Sequence, residues 1–165
     1  FVRLTAGLYN ADRGVYTADR RMAACTAYLL ATHPEMDVLA NIYDCYIQCE
    51  RADATAKLLL ANDQYDFFFW LNVMTAYGIY RAANELGLVV GEDISIVGFD
   101  NSPTSGTYYQ PALTTVDSEL GEWSQRVVDA IVAKMHTRKN PVNHTIISPT
   151  SLVPGASVKL ATPLQ

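Results

Sequence analysis

Phe67-Phe68-Phe69-Trp70-Leu71 runs for five residues without a polar side chain and without alternation. A strand with one wet face alternates apolar and polar residues. An unbroken apolar run of strand length needs cover on both faces, as in a parallel sheet between helices. Ile94 to Phe99, apolar but for Ser95, reads as another strand of this kind. Between and around these runs the apolar residues take a helical period. Thr17 to Thr32 places Met22, Cys25, Leu29 and Leu30 at helical spacing and stops at His33-Pro34. Ile47 to Ala61 carries Ala54, Leu58 and Leu59 on one side, and Met74 to Leu86 predicts a helix with Gly87 as its C′ residue. Shorter apolar runs predict strands at Phe1 to Ala6, Val38 to Ile42 and Leu113 to Val116. Ser118 to Arg138 predicts a long amphipathic helix through Leu120, Trp123, Val127, Ile131 and Met135. Short strands at Thr145 to Ile147 and Ser151 to Val153 are broken by Pro149 and Pro154. Strands alternating with helices make βαβ units, so the expected class is α/β, a parallel sheet flanked by helices on both faces.

Composition narrows the function. The 165 residues suit one ordinary domain, half of them are apolar and 18% are charged. With 12 Lys+Arg against 17 Asp+Glu, the net charge of −5 argues against a basic nucleic-acid footprint within these residues. No apolar stretch is long enough for a membrane span. The opening FVRLT lacks both Met and the basic start of a signal peptide, and is expected to be a cut inside a longer chain. Cys25, Cys45 and Cys49 are odd in number and lack framework spacing, so they read as small apolar thiols rather than staples or ligands. His33, His136 and His144 are scattered and polar-flanked, as surface residues are. Asn143-His144-Thr145 matches a glycosylation sequon, and with no secretory signal visible in the opening residues the match is expected to be accidental.

Open parallel sheets bind ligands beyond the carboxyl ends of their strands. That rule singles out three places. Arg20 and Arg21 stand in the first turn of the Thr17 helix, where cations oppose the helix dipole by roughly 0.3–1 kcal/mol. Asn72 follows one buried strand, and Asp100 ends another ahead of Asn101-Ser102-Pro103. Taken singly, each has an ordinary explanation: a solvated arginine, a helix N-cap, an Asp turn. Together they bring a guanidinium, an amide and a carboxylate to one sheet edge, a set suited to sugar hydroxyls or the edge of a base. No nucleophile with an adjacent base accompanies them, no histidine lies at the three turns, and no G-x-G-x-x-G phosphate loop is present. Binding is expected rather than catalysis, with no cofactor and no metal.

The run Asn84-Glu85-Leu86-Gly87-Leu88 through Asp93-Ile94-Ser95-Ile96-Val97-Gly98-Phe99-Asp100, followed by Pro111-Ala112-Leu113-Thr114-Thr115-Val116, resembles the lactose-repressor/galactose-repressor (LacI/GalR) family. The likeness extends back through Leu71-Asn72, Met74, Ala76 and Gly78, and more weakly to Arg21-Met22-Ala23-Ala24. It spans nearly the whole chain and is strong from about Leu71 to Gly121. Arg21, Asn72 and Asp100 fall on effector-contacting positions of that family. Leu120 falls near a position that walls the ligand, and Cys45 near another. Departures are Val73 in place of Asp, Ala24 and Glu50 in place of Gly, Gly91 in place of Pro, and Pro154-Gly155 where a basic residue is common.

The resemblance implies a periplasmic-binding-protein-like fold of type I, present mainly as its C-terminal subdomain. On that pattern residues 1–117 form the C-terminal effector-binding subdomain. Residues 118–143 are a helix of the otherwise missing N-terminal subdomain, and 144–165 return. The family's helix-turn-helix headpiece has no counterpart in these residues. The implied function is effector sensing in a bacterial transcription regulator. A small sugar-like or nucleobase-like ligand binds, operator DNA is met only through the absent headpiece, a homodimer forms, and the location is cytoplasmic. The other reading is a sugar-binding protein of an ABC transport system, with the same fold but exported. An enzyme on a doubly wound sheet is disfavoured for want of a catalytic constellation.

Overall fold

In the computed structural model, the described residues are 2–8, 16–39, 42–46, 49–61, 65, 67–70, 73–102, 108–136 and 147–159. Ten elements follow in chain order: β1 (Val2–Leu8), α1 (Tyr16–Thr32), β2 (Ile42–Tyr46), α2 (Cys49–Leu60), β3 (Phe67–Trp70), α3 (Val73–Glu85), β4 (Ser95–Phe99), β5 (Thr114–Asp117), α4 (Leu120–His136) and β6 (Ser151–Val153). They build one six-stranded sheet in the order β2-β1-β3-β4-β5-β6. The first five strands are parallel, and β6 runs antiparallel on β5. Register is continuous across the centre: Leu4 pairs with Phe69, Phe69 with Val97, and Val97 with Thr114.

The order records two directions of winding. From β1 the chain steps outward to β2, then crosses back over β1 to β3 and continues to β4 and β5. Right-handed crossovers therefore set α1 on one face and α2 with α3 on the other. α2 and α3 pack on each other, and α1 packs on β1. The main core lies beneath α2 and α3, where Phe68, Trp70, Ile79, Ile96 and Ala76 are fully buried. Tyr80 and Tyr109 meet with ring centroids 4.9 Å apart, and the Tyr80 hydroxyl donates to the Pro111 carbonyl at 3.0 Å. Burial pushes the Tyr80 phenol up to about 12. Phe67 and Phe69, on the opposite face, are only partly covered. The expectation of two equally buried faces for this strand is met on one side alone.

Local chemistry explains the element ends. Gly87 at φ 73 closes α3: the Leu88 N–H donates to the Ala83 carbonyl at 2.9 Å and the Gly87 N–H to the Asn84 carbonyl at 3.1 Å. This is the paired bonding that a left-handed C′ residue allows. The tail beyond β6 is stitched to the sheet through Ser157, which is wholly buried. Its hydroxyl accepts from the Thr114 N–H at 2.8 Å and donates to the Ile96 carbonyl at 2.6 Å. At Gly155 a Cβ would overlap the Ala112 carbonyl oxygen, so the departure from the family pattern there has a steric reason.

Three sequence expectations shift. Val38 is buried, but in a turn, and the strand begins at Ile42. Of the strand expected over Thr145 to Ile147, residues 145–146 lie outside the described residues and Ile147 is not in a strand. The long helix stands where expected, yet none of its residues is buried. Leu120, Trp123, Val128, Ile131, Val132 and Met135 are all exposed. The stripe predicted through Leu120, Trp123, Val127, Ile131 and Met135 exists as a pattern; Val127 is partly covered and the other four are exposed.

One polar cluster fastens α2 to α3. The buried Asp53 carboxylate accepts from Arg81 and lies 3.2 Å from Lys57 Nζ, while Lys57 Nζ lies 2.6 Å from Glu85. Burial raises the Asp53 pKa, but hydrogen bonds from Arg81 and Lys57 outweigh it and hold the carboxyl below its usual range. A carboxyl depressed in the folded state adds stability above its unfolded value, and that stability fades as pH falls through the folded value. Asp53→Asn should therefore unfold at lower urea than the wild type at neutral pH, with the gap closing below about pH 4. Urea midpoints across that range check it.

Candidate functional site

The carboxyl ends of the parallel strands form one rim, and the winding reverses between β1 and β3. α1 leads away from the β1 end, and β4 ends at Phe99. Arg21, in the second turn of α1, reaches across to Asp100 at the exit of β4. Its two terminal nitrogens donate to the two carboxylate oxygens at 3.2 and 2.7 Å. The guanidinium carbon also sits 3.7 Å from the centroid of the Phe99 ring. A fork of donors and an aromatic face together fix the plane of an arginine in a way that lysine cannot imitate. Both side chains stay partly open to solvent, at 24% and 33%. Residues 79 positions apart in the chain thus meet at the sheet edge to which sequence reasoning assigned them.

Of the other expected residues, Asn72 lies outside the described residues, between the end of β3 at Trp70 and the start of α3 at Val73. Leu120 is the first residue of α4 and is 61% exposed. The Cys45 side chain lies outside the described residues, as does His144. Arg20 is exposed beside Arg21. Cys25 is half-buried, and burial pushes its thiol up, away from the reactive range. His33 and His136 are exposed, as surface residues should be. No group of three or more His, Cys, Asp or Glu among the described residues could hold a metal ion.

Sequence reasoning passed over several residues that shape the rim. Phe99 supplies the stacking face. Asp100, Asn101 and Glu119 have φ of 92, 29 and 49°. These are the positive-φ residues other than glycine among the described residues, and all three lie at the exits of β4 and β5. Such conformations cost on the order of 1–3 kcal/mol each and gather at ligand-binding positions. Asp117, at the end of β5, accepts from the Asn101 amide at 2.7 Å and from the Glu119 N–H at 2.6 Å. Those two bonds, the Asn101 one first, hold its carboxyl below the usual range. The available signal was weak: an Asp-Asn pair tolerant of left-handed backbone, and an Asp shortly before a helix.

A five-strand parallel sheet in the order 2-1-3-4-5 carries an arginine–carboxylate pair at its carboxyl edge, the edge where open parallel sheets take ligands. Residues 3–158 match the periplasmic binding protein-like domain family, and the chain belongs to it. It is 29% identical over 108 residues to the sucrose operon repressor of Streptococcus mutans, a match covering 66% of this chain and 33% of that protein. It is 39% identical over 75 residues to the lactose operon repressor of Escherichia coli K12, covering 46% of this chain and 18% of that protein. The dimeric lac repressor with an 11-residue C-terminal deletion superposes with a TM-score of 0.82 at 25% identity, covering 98% of this chain and 56% of that one. The chain thus spans a third or less of these curated relatives and about half of the solved chain.

An ion pair this open to water contributes little to folding. Arg21→Ala should change the unfolding free energy by no more than about 1 kcal/mol, as surface pairs do. Chemical denaturation of the variant checks this.

Proposed function

We propose that this chain is the effector-sensing part of a transcription regulator, in which a small hydroxylated ligand seats against Arg21 and Asp100. The observation that carries the reading is the bidentate pair at the switch point of the sheet, in a chain whose named relatives are operon repressors. A guanidinium offers five donors and a carboxylate about four acceptor sites, so the pair can address neighbouring ligand hydroxyls in both senses. Asn72, which lies between β3 and α3 in the sequence, is proposed to add an amide, and Leu120 an apolar wall. The relatives are regulators rather than enzymes, and recognition is the chemistry that such a rim performs. A solute-binding protein of a transport system has the same fold, but the named relatives do not favour it.

Residues 1–117 and 144–165 are proposed to form one lobe of the cleft, with 118–143 crossing to the other. The bare apolar stripe of α4 supports that division, since its packing partner would be the second lobe. Ligand between the lobes favours one closure state by its difference in affinity for the two states, and no more than that difference can be transmitted. A DNA-binding headpiece elsewhere in the protein would read out the shift, in the cytoplasm where operator DNA lies. Two copies would be needed to present two headpieces. A cleft of about 310 Å³ beside α3, lined by Tyr77, Arg81, Asn84, Glu85, Tyr108 and Gln110 among others, offers a mixed aromatic and polar surface for that pairing. Tyr77 is 45% and Tyr108 64% exposed in the single chain.

Asp100→Ala should weaken binding by roughly 1.5–3 kcal/mol, the scale of a charge-assisted hydrogen bond. Calorimetry on a chain carrying both lobes, with sucrose and lactose as first probes, measures it. Unchanged affinity removes Asp100 from the site. Tyr108→Asp should shift a dimer toward monomer in light scattering at constant protein concentration, because it buries a charge in the pairing surface.

A further inference from the structure

We infer that Asn101 and Asp117 are positioning residues for Asp100: their side-chain bridge holds the exit of β4 in the left-handed backbone that aims the Asp100 carboxylate at Arg21. The inference rests on reading the Arg21–Asp100 rim as a ligand contact, and it adds the two residues that keep that contact in place.

Three observations converge. First, Asp100 and Asn101 both have positive φ, 92 and 29°. Two successive non-glycine residues hold such a conformation only when their surroundings impose it. Second, the bonds that impose it all run to β5 and its end. The Asp100 N–H donates to the Val116 carbonyl at 2.9 Å, and the Asn101 N–H to Thr115 Oγ1 at 3.4 Å. The Asn101 side-chain amide donates to Asp117 Oδ2 at 2.7 Å. The last is the shortest of the three and the one made to a charged acceptor, the stronger kind. Third, Asp117 is itself fixed. Its other oxygen accepts from the Glu119 N–H at 2.6 Å, at a third positive-φ residue, just before α4 begins. One carboxylate braces both the turn that carries Asp100 and the entry into α4.

The bridge has a strict chemical requirement. Position 101 must donate while position 117 accepts from two N–H groups. Asn101→Asp sets carboxylate against carboxylate. Asp117→Asn leaves one oxygen to serve two donors that approach different atoms. The exchange of both, N101D with D117N, satisfies every bond again. The amide nitrogen introduced at 117 donates to the carboxylate introduced at 101, and the amide oxygen at 117 still accepts from Glu119.

The test reads the geometry of Arg21 directly. Heteronuclear NMR of the 165-residue chain, with the Arg21 guanidinium assigned by its loss in Arg21→Lys, reports whether the fork is held. A guanidinium bound at both terminal nitrogens rotates slowly and shows separate signals for them. The wild type and the exchanged double variant should show that signature, and Asn101→Asp and Asp117→Asn should lose it. Asn101→Ala removes the bridge and leaves a side chain that resists positive φ, so it too should lose the signature. It decides the matter should Asn101→Asp fail to fold. Asn101→Gly, which accepts positive φ without the bridge, should keep it. A retained signature in folded Asn101→Ala overturns the inference, as does a folded double variant that fails to regain it. The readout needs no ligand. If the Asp100→Ala calorimetry fails, the functional reading falls, and the positioning role is still decided by the Arg21 spectrum.

Discussion

The chain reverses its winding direction at β1, and the rest of the molecule follows from that reversal. β1 is flanked by β2 on one side and β3 on the other, so helices leave its two sides for opposite faces. A crevice opens where neighbouring crossovers diverge, and every parallel strand points its carboxyl end toward it. α1 starts on one side of that crevice and β4 ends on the other. No stretch of sequence near Arg21 resembles one near Asp100. The sheet order alone makes them neighbours.

The rim joins a weak surface ion pair to backbone conformations that side chains seldom adopt. An exposed ion pair is worth about 0–1 kcal/mol, whereas each left-handed non-glycine residue costs on the order of 1–3 kcal/mol. Asp100 is one such residue, Asn101 next to it is another, and Glu119 is a third. The apolar core under α2 and α3 must offset that cost, and it is there that Phe68, Trp70, Ile79 and Ile96 are fully buried.

α4 makes the same distinction from the other direction. Its apolar residues have the spacing of a core-facing helix, and its last turn carries Lys134 and His136 as the dipole favours. Locally it is well built. What it lacks, among the described residues, is a surface to lie on, and a contiguous exposed apolar stripe marks an interface. The tail beyond β6, by contrast, is well anchored, through Ser157 to both β4 and β5.

Sequence by itself determined the class of fold. The apolar runs at 67–71 and 94–99, the second interrupted only by Ser95, demanded a covered parallel sheet, helical periods filled the gaps, and Gly87 marked the end of α3, because these features depend on neighbours a few residues away. It also pointed to Arg21 and Asp100, through the general placement of ligands at strand ends. It did not reveal the antiparallel β6, the turn at Val38, or the uneven cover of Phe67 and Phe69, since strand direction and face cover depend on where distant segments return. Nor did it reveal the bridge from Asn101 to Asp117. Asp-Asn after a strand and Asp before a helix are each ordinary turn chemistry. Only the pairing of β4 with β5 brings an amide from one within reach of a carboxylate from the other, and that pairing is a property of the folded sheet.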